Sequence, residues 1–122
     1  MNILVVDNDM LVRRYVAKVI REKGHTVYER PDGKEALDLL SADEPKIDIV
    51  LSDIDMPNMD GVTLLASMRN LPAHQNTRTA LMTGGGDDSK MRRVEEACAL
   101  HGARLLYKPI NQEELFQALG LL

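Results

Sequence analysis

Aromatic residues are scarce: no tryptophan, one phenylalanine and three tyrosines in 122 residues. A surface so poor in aromatics has no platform on which single-stranded bases could stack. Positive charge is lacking too. Fifteen basic residues stand against nineteen acidic ones, a net charge of −4, and this argues against a direct nucleic-acid-binding face. A single cysteine, Cys98, excludes an internal disulfide and a cysteine-rich zinc site. Long apolar runs are absent as well. The opening stretch Ile3-Leu4-Val5-Val6 meets a charge at Asp7, too soon for a secretory signal, and no stretch approaches the roughly 18 apolar residues of a membrane span. The expectation is a cytoplasmic chain without membrane insertion.

Hydrophobic residues make up 44% of the chain and charged ones 28%, enough for a real core under a solvated surface. With roughly 100–200 residues per domain, 1–122 reads as one domain. Short β-branched runs alternate with helical periodicities along it. Ile3–Val6 reads as a strand covered on both faces, Thr26–Arg30 as a more polar edge strand, and Ile47–Ser52 as a third strand running into Asp53. Thr79–Met82 and Arg104–Tyr107 supply two more. Between them, Val12, Val16, Val19 and Ile20 form a helical stripe capped by Asp9. Ala36, Leu37 and Leu40 mark a second helix, and Leu64, Leu65 and Met68 a third. Met91, Val94, Ala97 and Cys98 pattern a fourth, which makes the thiol a buried one, and Leu115, Ala118, Leu119 and Leu122 the last. Five strands alternating with five helices predict an α/β, doubly wound parallel sheet.

Ligands of such sheets bind beyond the carboxyl ends of the strands. The first strand ends in Asp7-Asn8-Asp9, the third in Asp53-Ile54-Asp55, the fourth in Thr83-Gly84 and the fifth in Lys108-Pro109. Crowded carboxylates repel unless a cation joins them, and a set of carboxylates with an amide suits magnesium better than zinc. Lysine and hydroxyl aimed at the same space make this chemistry for accepting a phosphoryl group onto a carboxylate. Gly84 leaves room for the phosphate. Pro109 fixes the peptide that aims Lys108, its isomer being open at this point. Each residue alone has an ordinary reading as a cap, turn or surface group; the joint placement does not.

These segments together resemble the response-regulator receiver domain of two-component signalling, stand-alone or cut from a longer chain. The resemblance rests on Ile3–Asp9, Asp48–Gly61, Met82-Thr83-Gly84 and Leu106–Pro109 and covers the whole chain. It implies a flavodoxin-like five-stranded sheet in the order 2-1-3-4-5, with Asp53 as phosphoacceptor from a phosphohistidine on a sensor histidine kinase or histidine phosphotransfer protein. It further implies Mg2+ held by Asp7, Asn8, Asp53 and the backbone carbonyl of Asp55, with Thr83 and Lys108 on the phosphoryl oxygens. Such a domain is a signalling module that promotes its own phosphorylation and dephosphorylation. It acts on a downstream protein through its surface, and a phosphorylation-dependent dimer is compatible with it.

Two positions depart from the family pattern. A second acid usually follows the first strand, often ligating metal, and here it is Asn8, whose uncharged carbonyl predicts weaker metal binding. An aromatic often stands three residues before the lysine, and here it is Leu105; Tyr107 shares its face of the strand but reads as a packing or surface residue. The expected output switch is therefore weak or differently wired. His25, His74 and His101 read as surface histidines, Lys90, Arg92 and Arg93 as a solvated basic cluster, and Leu11 and Tyr15 as partly exposed kinase contacts. Three alternatives compete. One is an atypical receiver that binds partners without phosphorylation. Another is a haloacid-dehalogenase-type phosphatase, whose nucleophile would end the first strand. The third is a flavin carrier, whose phosphate Asp7-Asn8-Asp9 would repel.

Overall fold

Successive strand residues point to opposite faces, and in the central strands both sets are largely apolar, which calls for helices on both sides. The computed structural model describes residues 1–121 and has this architecture. Its strands are β1 (Asn2–Val6), β2 (Thr26–Arg30), β3 (Ile49–Asp53), β4 (Arg78–Thr83) and β5 (Arg104–Tyr107). They alternate with α1 (Met10–Glu22), α2 (Gly33–Ser41), α3 (Gly61–Arg69), α4 (Asp88–His101) and α5 (Gln112–Leu119). The sheet is parallel throughout in the order β2-β1-β3-β4-β5. Leu122, assigned by periodicity to the last helix, lies outside the described residues.

Ile3 and Val5 face one side with Ile49, Leu51, Ala80 and Met82, against Val16 and Ile20 of α1 and Leu115, Phe116 and Leu119 of α5. Leu4, Val6 and Val50 face the other, against Ala36 and Leu40 of α2 and Leu64 and Met68 of α3. A third cluster joins Leu81 to Leu65, Val94 and Cys98 beneath α4, with Leu105 packed against it. Each helix starts on an Asp or Asn side chain that accepts from first-turn amides: Asp9, Asp32, Asp60, Asp87 and Asn111.

Two expectations need correction. The third strand begins at Ile49, two residues later than the pattern predicts: the Asp48 amide still donates to the Asn2 carbonyl at 2.8 Å, but the Asn2 amide donates to the Asp48 carboxylate at 2.8 Å instead of to a strand carbonyl, and the ladder stops there. His74 is not a surface residue but is only 6% exposed. The short turn Pro72–His74 folds back beneath α3, where Nδ1 lies 2.8 Å from Thr77 Oγ1 and Arg69 donates to the carbonyls of His74, Thr77 and His101. Burial pushes the imidazole pKa down.

The order of the strands positions the site. From β1 the chain steps to β2 on one side and from β3 onward to the other, so the switch point lies between β1 and β3. Val6 pairs in register with Ser52, which sets Asp7 and Asp53 side by side where the strands end. Gly61 closes this edge: its amide donates to the Ile54 carbonyl at 2.8 Å, and a Cβ there would collide with the Asp53 carbonyl oxygen. Gly61→Ala is expected to destabilise the fold by about 1–3 kcal/mol, the usual cost of overpacking, measurable as a lower midpoint in urea.

Candidate phosphoryl-transfer site

Asp7 is fully buried and Asp53 is 5% exposed. Between them lies one cation. Lys108 Nζ is 3.2 Å from Asp7 Oδ2 and 3.0 Å from Asp53 Oδ1. The other Asp7 oxygen accepts from the Asp9 amide at 2.9 Å, and Arg13 donates to the Asp7 carbonyl at 2.8 Å. Lys108 is aimed from the end of β5, where its own amide donates to the Thr83 carbonyl at 2.7 Å. The Lys108–Pro109 peptide is cis. Thr83 is fully buried, and its hydroxyl oxygen accepts from the Gly85 amide at 2.9 Å. A Cβ at Gly84 would enter open space.

The electrostatics follow from two carboxylates sharing one ammonium. Loss of water raises the Asp53 pKa, the neighbouring charge of Asp7 raises it further, and the Lys108 contact only partly offsets them. On Lys108, burial pulls the pKa down, but the hydrogen bonds and charges of Asp53 and Asp7 together outweigh it and the net direction is up. The cluster thus carries an excess negative charge in a dry place. Its donor set of carboxylates, with the Asn8 amide and backbone carbonyls close in sequence, is that of a hard divalent cation. Among the described residues no group of three or more His, Cys, Asp or Glu side chains could hold a metal ion, so a cation here would also rely on Asn8, carbonyls and water.

The structure thus brings Asp7, Asp53 and Lys108 into direct contact and packs Thr83 beside them. It does not gather every strand-end residue. Asn8 and Asp9 are exposed, and the Asp55 side chain turns to Lys90, 2.7 Å from its Nζ. The basic cluster at the start of α4 is therefore not merely solvated, since Lys90 is paired with Asp55 and Arg93 with Asp60 at 3.3 Å. Leu105 is partly buried, while Tyr107 is exposed on the same face. Leu11 and Tyr15 are 78% and 49% exposed. Together with Val12, Val16, Pro109 and Ile110 they line an apolar groove of about 320 Å³ beside Lys108. Arg13 has no part in the sequence reading, and Lys90 enters it only as one of a solvated basic cluster. Arg13 carries no signal there; Lys90 carries one, a cation in the first turn of a helix, against the macrodipole.

The fold is that of a signalling receiver, and the comparisons agree. Residues 3–120 match the family model described as the response regulator receiver domain, and the chain belongs to that family. It is 31% identical to sporulation initiation phosphotransferase F of Bacillus subtilis over 95% of this chain and 88% of that protein. It is 27% identical to the chemotaxis protein CheY of Treponema pallidum, covering 97% and 79%. The chain spans only 11% of another relative, the sensor kinase CckA of Brucella abortus, at 33% identity. Among solved structures, CheY4 of Vibrio cholerae superposes with a TM-score of 0.82 at 28% identity, over 98% of this chain and 95% of that one. No helix among the described residues is long and apolar enough to cross a membrane.

The raised Asp53 pKa sets a sign for stability. Between the unfolded and native pKa values the native state keeps a proton that the unfolded chain has released, so stability falls as pH rises through that window. Above it the ionised carboxylate is a net cost. In metal-free buffer at neutral pH, Asp53→Asn should therefore be more stable than wild type and should flatten the fall in melting temperature with rising pH.

Proposed function

We propose that Asp53 accepts a phosphoryl group from a phosphohistidine on a sensor histidine kinase or a histidine phosphotransfer protein. The observation that carries this reading is the Asp7–Lys108–Asp53 cluster at the switch point of the sheet. In the step, a carboxylate oxygen of Asp53 forms the new P–O bond as the P–N bond to the imidazole breaks. Lys108, already on Asp53 Oδ1, balances charge on the transferred oxygens, and the Thr83 hydroxyl donates to one of them. Asp7, Asn8 and Asp53, with the Asp55 backbone carbonyl, would hold Mg2+, which supplies further charge neutralisation when bound. Gly84 leaves the approach open.

The groove at Leu11 and Tyr15 beside Lys108 suits docking of the donor's helices. The output is regulation of a separate protein in the cytoplasm, or dimerisation, through the phosphorylated surface. With Leu105 where the family often has an aromatic, that output does not depend on an inward swing of the side chain at 105. The relatives include a sensor kinase and a phosphotransferase, which supports donors of this class. One observation, the uncharged Asn8, favours a second reading as a receiver that binds partners without phosphorylation.

Incubation with Mg2+ and a small phosphodonor such as acetyl phosphate, read by intact mass, separates the two readings. Wild type should gain one phosphoryl group and Asp53→Asn none; no gain by wild type with any donor favours the second reading. Asn8→Asp should tighten Mg2+ binding by about tenfold, the effect of about 1.4 kcal/mol from one added charged ligand. An isothermal titration unchanged from wild type would contradict the role of Asn8.

A further inference from the structure

Lys90 sits in the first turn of α4, its amide capped by Asp87 at 2.8 Å. A cation at that end of a helix opposes the macrodipole and needs compensation from elsewhere. Two contacts supply it. Nζ is 2.7 Å from Asp55 Oδ2, in the loop after β3, and donates to the Gly85 carbonyl at 2.9 Å. The aliphatic stem lies where a side chain at residue 86 would be, since a Cβ on Gly86 would collide with Lys90 Cδ. The side chain is only a quarter exposed.

Gly85 connects this lysine to the site. Its φ is +94°, a conformation open to glycine at no steric cost. Its carbonyl accepts from Lys90 while its amide donates to the Thr83 hydroxyl oxygen at 2.9 Å. A run of bonds thus leads from Asp55 through Lys90 and Gly85 to Thr83. Without it, Gly84-Gly85-Gly86 would be the least restrained segment bordering Asp53, because each glycine adds backbone freedom. With the Thr83 oxygen accepting from Gly85, its hydroxyl hydrogen is left to donate.

We propose that Lys90 is a positioning residue for phosphoryl acceptance. By binding the Asp55 carboxylate and the Gly85 carbonyl at once, it fixes the triglycine loop and, through it, the Thr83 hydroxyl. This rests on the reading of Asp53 as acceptor and Thr83 as a phosphoryl ligand. An exposed ion pair alone would contribute little to stability. The effect of Lys90 therefore falls on the rate of phosphorylation, since orienting a group before reaction lowers a barrier without strengthening the fold.

The test is a double-variant cycle on the rate of phosphorylation by acetyl phosphate at saturating Mg2+, read by intact mass, with folding checked by circular dichroism. Lys90→Met keeps the stem over Gly86 and removes the charge. It should slow phosphorylation roughly tenfold in the wild-type background and less than about twofold in Thr83→Ala, because residues acting as a unit are not additive. Equal slowing in both backgrounds, or no slowing in either, overturns the role of Lys90 while the wild-type arm still gains its phosphoryl group. A wild-type arm that gains none overturns the acceptor reading itself, and the role of Lys90 with it.

Discussion

Two carboxylates held within reach of a single ammonium set the terms for the rest of this molecule. Asp7 and Asp53 are almost without solvent, and among the described residues Lys108 alone stands between them. Such a cluster is not a source of stability at Asp53, where burial and the charge of Asp7 outweigh what the shared cation returns. The surrounding structure has to impose it. Three central strands, covered on both faces, hold the ends of β1 and β3 in register and keep water out. Gly61 lets the backbone after Asp53 approach closely enough to close the edge. The unspent negative charge that results is what a divalent cation and an electrophilic phosphorus would each meet.

The loops around the cluster divide the work differently. At the end of β1, Asp7 is fixed by its own neighbour's amide and by Arg13, both short-range contacts. At the end of β4 the chain is three glycines long and is restrained from outside, by Lys90 and Asp55. Carboxylates fixed by short-range contacts beside a tethered loop are an arrangement in which the loop can follow the state of the carboxylate. The apolar groove at Leu11 and Tyr15 lies beside Lys108 and is lined by none of the α4 residues, so the groove and the α4 face are separate surfaces.

Most of the fold was legible because its signals are local. Unbroken β-branched runs such as Ile3–Val6, caps such as Asp9 and stripes such as Val16–Ile20 each predict one element, and alternation of the elements fixes the architecture. Asp7, Asp53, Thr83 and Lys108 stand out as candidates for a related reason: each stands where an apolar strand stops. The third strand's start was misplaced because Asp48 pairs with Asn2, a partner 46 residues away that no local pattern reveals. His74 was misread likewise, since its burial depends on a turn folding under α3. Asp55 is the instructive case. Its position marks it as a site residue, yet its side chain leaves the cluster for Lys90, a contact 35 residues distant in sequence.

Asp53 ionises against the charge of Asp7, which Lys108 only partly offsets. Carbon-13 NMR of the aspartate side-chain carboxyls, titrated from acid to neutral pH without metal and again with Mg2+, measures this directly. The account predicts that Asp53 titrates above the usual carboxylate range in metal-free solution and that its midpoint falls when Mg2+ is present. An Asp53 that titrates in the ordinary range under both conditions would contradict it.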